Sequence, residues 1–444
     1  MASSNEILYN NERHYVSIKL IDTSNATSLD KVDPDDTINL PIDNIGKLEI
    51  VTDLMNPIMT ASFEFTDGSE SYFDNFVGST GNYAFIGINK FTDSNAETAV
   101  DQYEWTFTHM FIIDRISIIG RNNDTVNYGV ELKSAYWWNF LNSVPYSTAG
   151  TLPTNEIIQN LFINNGLSVG NMINEFKSDE RMKRFFITPA GQSLYHSYEY
   201  LIEKLNMGWD IYNNGLSMMY YDHMEDVFDL WNSKKLYNIQ QSTDVASNSV
   251  RININNKMLT TLMEQNENKI KLTNTSGITD VTKRLRTLKY YNFDYDTNKF
   301  SDYEITNDML VDSVFNDNDY NTISKITKLS EFITNDISSN KRVSVSESSQ
   351  SNERHDHYDG VVETLFGNNV LTMNVAGKFD RKVGQPIYLG VDLNKDATSP
   401  LQGLLGWWVC LRVRHIFTAS SYTSNVVMGR FTTVADNNKN REEV

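Results

Sequence analysis

The sequence predicts a mainly β fold with α+β parts: two similar antiparallel β-barrel modules in one chain, an α/β domain and a helical insertion. Two observations carry this prediction. The hexapeptide Phe-Asp-x-x-Val-Gly occurs at Phe73–Gly78 and again at Phe379–Gly384. Each copy also lies in the same ordered setting. Upstream runs an alternating apolar stretch ending in glycine, Thr60–Gly68 and Leu371–Gly377. Downstream comes a short strand with an internal glycine, Tyr83–Ile88 and Ile387–Val391. A long alternating hairpin with a mid-strand arginine follows: Phe111–Ile118 returning through Tyr128–Leu132, then Val409–Ile416 returning through Tyr422–Met428. One short match could be chance, but four elements in one order indicate a repeat, and an internal repeat governs the architecture.

The elements follow in chain order. His14–Ile21, Gly46–Val51 and Tyr103–Ile112 alternate with period two, as half-buried strands do. Ala135–Leu141 is expected as a short helix plugging one end of the first barrel, which spans 1–142. Closure into a barrel is the expectation because it limits exposed strand edges. An α/β domain over 143–239 begins with a helix capped at Thr154, carrying Glu156 in its first turn and ending at Gly166. A second helix is expected near Ser193–Asn206. It precedes a hairpin turning at Asn213–Gly215 between Trp209–Tyr212 and Leu216–Tyr221. Strand-like pieces at Val250–Ile254 and Leu259–Met263 open a discontinuous second barrel, 240–299 and 367–435. Between its parts, 300–366 reads as an acidic helical insertion. Ile323, Ile326, Leu329 and Ile333 follow helical spacing there, the Ser-rich run Val343–Ser351 comes next, and a further helix lies near Asp359–Phe366. The tail, 436–444, is expected to be disordered.

A chain of 444 residues, 40% apolar and 12% aromatic, can bury several cores, and aromatics suit half-buried sheets. The formal charge of −19 argues against a nucleic-acid backbone as a surface-bound partner, because phosphate binding needs a basic footprint. An acidic wall past which DNA slides fits the charge, and solubility through self-repulsion is the simpler reading. The single Cys410, on an apolar alternating strand, is expected to be a small buried hydrophobe. No secretory signal is visible at the start and no apolar run reaches the ~18 residues of a membrane span. The expectation is a chain made in a cytoplasm, off the membrane, and soluble until it assembles.

The search for chemistry returns little. His355-Asp-His357 beside Asp359 lacks further histidines or cysteines nearby to complete a tetrahedral metal set, so a solvated polar turn is the simpler reading. Tyr221-Asp-His223 reads as the exposed end of a hairpin. No phosphate-binding glycine loop or nucleophile elbow occurs. A carboxylate pair for glycoside hydrolysis is compatible with 57 acidic residues but has no positive support. Trp137-Trp138 and Trp407-Trp408 flank the two hairpins and suggest packing or subunit contact before sugar stacking. Met218-Met219 reads as core filler. No catalytic, cofactor or metal residues are assigned. The assigned residues are structural, with Phe73, Gly78, Phe379 and Gly384 expected at two equivalent barrel corners, the phenylalanines buried and the glycines allowing the bend.

The closing stretch, Val370–Gly377, Val383–Leu389 and Trp407–His415 followed by Tyr422–Val426, resembles contractile-tail hub proteins. These are the central baseplate hub of T4-like phages, the tail proteins called late control protein D, and the base of type VI secretion spikes. Gly377, Gly384, Trp408, Val409, Val413, His415 and Tyr422 occupy the family's motif positions, and Ser193–Tyr221 resembles the family's second domain. The resemblance implies two tail-tube-like barrels per chain and a homotrimer closing a ring of six, joined by sheet-edge pairing. That ring would adapt a hexameric tail tube protein to a trimeric central spike protein and pass genomic DNA and the tape-measure protein through its lumen. The implied location is the virion tail or baseplate, and the implied role is structural, without enzymatic activity. A tail-associated cell-wall hydrolase, the base of a secretion-system spike, a receptor-binding tail protein and a tube initiator are the rival readings.

Overall fold

The computed structural model describes residues 6–9, 12–21, 37–40, 42–54, 56–68, 83–91, 107–122, 124–143, 149–152, 154–170, 184–187, 191–197, 217–232, 250–254, 270–274, 288–294, 299–305, 341–343, 369–391, 406–418 and 421–429. The early strands are β1 (Glu6–Tyr9), β2 (Glu12–Ile21), β3 (Thr37–Leu40), β4 (Ile45–Asp53), β5 (Asn56–Asp67), β6 (Tyr83–Phe91), β7 (Phe107–Asn122) and β8 (Thr125–Ser134). Helix α1 (Ala135–Asn142), β9 (Ala149–Leu152), helix α2 (Thr154–Ile163), β10 (Arg184–Ile187), β11 (Ser217–Asp222) and β12 (Val227–Asn232) follow. The remaining strands are β13 (Val250–Ile254), β14 (Ile270–Asn274), β15 (Leu288–Asp294), β16 (Lys299–Ile305), β17 (Lys341–Val343), β18 (Asn369–Ala376), β19 (Pro386–Val391), β20 (Gly406–Thr418) and β21 (Ser421–Gly429).

Period-two alternation drives the strands. On β5, Met59, Ala61, Phe63 and Phe65 are buried while Glu64 and Thr66 face solvent, as a sheet with one covered face requires. Fourteen described strands join in one sheet. Its early half runs β2-β6-β7-β8-β5-β4, antiparallel throughout. Its late half runs β13-β19-β20-β21-β18-β14. The two orders correspond strand for strand, except that β13 lies parallel to β19 where β2 lies antiparallel to β6.

Register tightens the correspondence. The β7–β8 ladder shifts between Ile113 and Arg115, and the β20–β21 ladder shifts between Cys410 and Arg412. Bulges are specific local features, so a bulge at the same place in both hairpins fixes a residue-level equivalence. Counting from it, Phe111 matches Trp408, Arg115 matches Arg412, Ile116 matches Val413 and Ile118 matches His415. The flanking pairs agree: Ala84 faces Phe111 as Ile387 faces Trp408. A second shift, between Ile118 and Gly120, occurs only in β7 and inserts one extra residue at that point.

The halves meet where β4 pairs antiparallel with β20, from Arg412 opposite Asp53 to Phe417 opposite Leu48. Closed barrels were the expectation, and the described sheet is open, with β1 and β14 at the ends of its path. The physical reason lies in this seam: the edge that would close one half against itself is taken by the other half.

Between the halves, α2 buries Ile157, Ile158, Leu161 and Phe162 on one stripe, and Gly166 adopts φ 77° beyond its end. Helix α1 is pinned to β5 by Tyr136, whose hydroxyl accepts the Met59 N–H at 2.9 Å and donates to the Pro57 carbonyl at 3.0 Å. Phe140 of α1 stacks on Phe228 of β12 with ring centroids 5.5 Å apart, which merges helix, hairpin and early sheet into one core. Two two-stranded sheets, β9–β10 and β11–β12, complete what is described of this region. The described partner of β11 is β12, and the Asn213–Gly215 turn lies outside the described residues, as does most of the expected second helix.

The helical reading of 300–366 needs correction at its start. Phe300–Ile305 belongs to β16, which pairs with β15, and β15 pairs parallel with β17 in a separate three-stranded sheet. The aromatic and β-branched residues Phe300, Tyr303 and Ile305 favour a strand over the helix that the acidity suggested. Leu288–Asp294, assigned by sequence to the second barrel, therefore belongs with this smaller sheet. Residues 306–340, the Ser-rich run beyond Val343, the helix near Asp359 and the 436–444 tail lie outside the described residues.

Candidate functional site

The described residues with the most specific geometry lie where the early sheet, the late sheet and the β11–β12 turn converge. Phe379 occupies the centre, 3% exposed. Its ring centroid lies 4.9 Å from Phe107 at the start of β7, 5.2 Å from His223 in the hairpin turn and 4.7 Å from His415 on β20. One side chain therefore touches all three parts.

The segment carrying it is fastened at several points. Gly384 has φ 74°, a left-handed conformation that glycine adopts without a Cβ penalty. Its N–H donates to the Cys410 carbonyl at 2.7 Å, and the Cys410 N–H donates to Gln385 at 3.0 Å. These bonds satisfy the β20 backbone at its bulge, where the ladder to β21 is interrupted. Lys382 Nζ donates to Asp222 Oδ2 at 2.8 Å, and His223 Nε2 donates to the Phe379 carbonyl at 3.1 Å, so the corner is tied to the hairpin by a charge and a ring. Gly377 is required for a different reason: a Cβ there would meet the Tyr422 ring at 2.3 Å.

Two histidines, His223 and His415, pack against Phe379 and a third, His109, stacks on Phe107 behind it, and all are neutral at pH 7. Burial pushes His109 down to about 3, with the nearby His223 adding to the effect. Burial also lowers His223 and holds His415 well below its ordinary range, the latter reinforced by His223 and Arg381. His109 Nδ1 lies 3.7 Å from Asp226 Oδ1, but a neutral ring makes this a polar contact and not an ion pair. Burial raises the Tyr221 pKa, and the hydrogen bond its hydroxyl donates to Asp226 raises it further. His109 bonds the Ser134 hydroxyl, and His415 Nδ1 lies 2.8 Å from the Tyr422 hydroxyl. Each ring packs and hydrogen-bonds through at least one nitrogen, while His223 Nδ1 and His415 Nε2 are buried without a hydrogen-bond partner among the described residues. The arrangement is a rigid joint, and among the described residues no group of three His, Cys, Asp or Glu is placed to hold a metal.

The β4–β20 seam extends the joint. Arg412 pairs with Asp53 at 2.5 Å, and Arg414 Nε donates to Glu49 Oε2 at 2.7 Å, with Glu49 only 5% exposed. The Leu54 N–H donates to the Leu411 carbonyl at 2.7 Å, continuing the ladder past the bulge.

Of the four residues predicted at barrel corners, Phe379 and Gly384 fall in this joint, whereas Phe73 and Gly78 lie outside the described residues. Tyr221, Asp222 and His223 are buried, not exposed as expected for a hairpin end: Tyr221 packs on Tyr136 and Phe228, and the 379–384 segment bonds Asp222 and His223. Sequence reasoning missed His109 and Ser134; their period-two placement among apolar residues was the available signal. The tryptophan pairs are not equivalent: Trp138 is 54% exposed on α1, whereas Trp408 is fully buried on β20. His355 and His357 lie outside the described residues. Cys410 is fully buried, and its thiol is pushed upward by burial.

No protein-family model matches the chain, and no curated protein matches its sequence. Among solved structures it is similar to the 43 kDa tail protein of prophage MuSo2 from Shewanella oneidensis, with 9% identity, 95% of this chain and 99% of that chain covered, and a TM-score of 0.49. It is also similar to a tail protein from Neisseria meningitidis MC58, with 6% identity, coverage of 94% and 96%, and a TM-score of 0.49. A third is the E. coli c3393 protein, a component of the type VI secretion system, with 9% identity, coverage of 88% and 74%, and a TM-score of 0.40.

Proposed function

We propose that this chain is a structural hub at the base of a contractile-type phage tail, without enzymatic activity. Three copies form a ring of six similar β units, two per chain, so that a threefold assembly presents a sixfold-like face. One face meets a hexameric tail tube protein and the other a trimeric central spike protein, while genomic DNA and the tape-measure protein pass through the lumen. The observation that carries this reading is the recurrence of one strand order in the two halves, down to the bulge at Ile113–Arg115 and Cys410–Arg412. Two like units in one chain are what a 3-to-6 symmetry match requires, since closed rings repeat one heterologous contact. The motif resemblance at Gly377, Gly384, Trp408, His415 and Tyr422 supports the same reading. The net charge of −19 suits a lumen that does not hold DNA.

In this proposal the units are 1–142 and 240–287 with 367–435, each curling into a tube-like barrel in the assembled ring. The α/β region 143–239 and the insertion, which takes in the smaller sheet from Leu288 onward, decorate the outside. Phe73 and Gly78 form the early counterpart of the Phe379–Gly384 corner. Mass measurement of the purified chain in solution, combined with particle images, tests it. Three chains in a hollow disc with six similar lobes are expected, and a chain that stays monomeric at every concentration sinks the proposal.

A further inference from the structure

The corner that carries Phe379 is fastened in two unlike ways. At both ends the backbone bonds it to its own half. The Gly377 N–H donates to the Tyr422 carbonyl at 3.1 Å, the Gly384 N–H to the Cys410 carbonyl at 2.7 Å, and the Cys410 N–H to the Gln385 carbonyl at 3.0 Å. None of these groups titrates. Between the ends, the corner reaches the early half and the β11–β12 hairpin through a ring contact and through partners that ionise. Phe379 meets Phe107, Lys382 Nζ donates to Asp222 Oδ2 at 2.8 Å, and His223 donates to the Phe379 carbonyl at 3.1 Å. A short stretch tied by backbone at its ends and by ionisable groups in its middle can release the middle alone.

The charges around it make that release depend on protons. The corner carries Lys378, Arg381 and Lys382 against one acid, Asp380, which Lys378 meets at 3.1 Å. The hairpin facing it carries Asp222, Glu225 and Asp226, and Lys382 also lies 3.8 Å from Glu225. A positive corner therefore meets a negative hairpin while the histidines are neutral. His415, packed under Phe379 on β20, upsets this arrangement when charged. Its Nδ1 lies 2.8 Å from the Tyr422 hydroxyl, but its Nε2 is buried without a hydrogen-bond partner among the described residues. His223 and Arg381 both oppose a proton on it. A charged His415 would be a buried cation with one unbonded N–H beneath a positive corner, and only water could relieve it.

The other two histidines are balanced differently. Asp222 and Asp380 favour a proton on His223 and Lys382 opposes it, and its bond to the Phe379 carbonyl survives protonation. Its ring centroid is 5.8 Å from that of His415, so the two repel once both are charged. His109, behind Phe107, faces Tyr136 and Tyr221, lies 3.7 Å from Asp226 Oδ1, and is opposed by a charged His223. Where water reaches them, such rings bind a proton near pH 6.5. The closed joint thus holds fewer protons than an open one. Closure is favoured above about pH 6.5 and is lost as pH falls below it.

We propose that the Phe379–Gly384 corner is a latch released by acid through His415, freeing the β11–β12 hairpin and the early half to part from the late half about the β4–β20 seam while both sheets stay folded. The seam suits the part of hinge. Its ladder from Arg412 opposite Asp53 to Phe417 opposite Leu48 is backbone pairing, and its ion pairs, Arg412 with Asp53 and Arg414 with Glu49, contain no histidine. The latch lies within one chain and does not depend on the ring reading above.

Hydrogen exchange of the full-length chain, read by mass spectrometry and corrected for the intrinsic effect of pH on exchange, tests it. The reporting amides are those of Arg381 and Lys382, bonded within the corner, and those of Met224 and Glu225, both bonded to Asp222 Oδ1. From about pH 7 to about pH 5 their protection should fall about tenfold or more, since each pH unit below 6.5 is worth a factor of about ten per histidine left unprotonated. β5, β8, β18 and β21 should keep theirs. His415→Gln, which takes up no proton, should keep the latch closed at the lower pH. Lys382→Met removes one fastening at a partly exposed side chain and should move the opening to higher pH. Protection that acid leaves unchanged at the four amides overturns the latch. So does a loss shared equally by all strands, a His415→Gln chain that opens like the parent, or a Lys382→Met chain that opens no earlier.

Discussion

β7 and β20 carry the same local signals, a long alternating run, a bulge and an arginine just after it, yet they end in different environments. On β20 the run continues under cover of β4, so Val413, His415 and Phe417 are all buried. On β7 it continues with one flank open, and Ile118 is left more than half exposed. The two arginines after the bulges differ in the same sense. Arg412 pairs at 2.5 Å with an Asp53 that is mostly buried, whereas Arg115 meets Glu131 at 3.5 Å with both side chains in solvent. Alternation in sequence decides which residues share a face. Whether that face is covered depends on a strand several hundred residues away, or on another molecule.

The comparison can be broken most sharply at the covered side. Phe379→Ala should lower stability by about 3–5 kcal/mol, because a ring touching three parts of the core is removed and the surroundings cannot collapse on it. A melting transition near that of the parent would count against the joint. Acid is the next largest lever. His109, His223 and His415 bind no proton in the folded state at neutral pH, and each can bind one near 6.5 once unfolded. The unfolded chain therefore holds more protons below that value, and stability present above pH 6.5 is lost as pH falls. For His109 the loss is about 2 kcal/mol by pH 5, and His223 and His415 act in the same direction. Denaturant midpoints that stay level between pH 7 and 5 would show that these rings are not buried neutral.

Smaller effects separate the two edges. Arg414→Ala strands the buried Glu49 carboxylate beside Lys47 alone and should cost about 1–3 kcal/mol in chemical denaturation. Arg115→Ala, on the exposed edge, should cost no more than about 0.5 kcal/mol. Equal costs would erase the distinction between seam and open edge. The least effect is expected for Ile118→Ala, within about 0.5 kcal/mol when measured at dilutions where the chain is monomeric. A larger loss would mean that this part of β7 is already covered within one chain.

Much of the strand framework was legible because short-range alternation is written residue by residue: β2, β4, β6, β7, β8, β20 and β21 all fall on the runs that predict them. The two alternating hairpins and Gly384 were legible for the same reason, being local signals, whereas the Phe73–Gly78 copy lies outside the described residues. Errors arose where local signals were weak or misleading. The acidic stretch from Phe300 read as helix although its start pairs with Leu288–Asp294. Tyr221–His223 read as an exposed turn because nothing nearby in sequence announces that 379–384 lies on top of it.

By itself, then, the sequence determined which faces of its strands are apolar, where two similar hairpins turn, and that they belong to one repeated plan. Only the tertiary structure decided that β4 lies beside β20, that His223 and His415 pack against Phe379, and that the described sheet stays open. Period and turn chemistry act over a few residues and can be read in order along the chain. Edge pairing and burial depend on which distant segments compete for the same hydrogen bonds and the same apolar surface, and that competition is settled only when the whole chain is folded together.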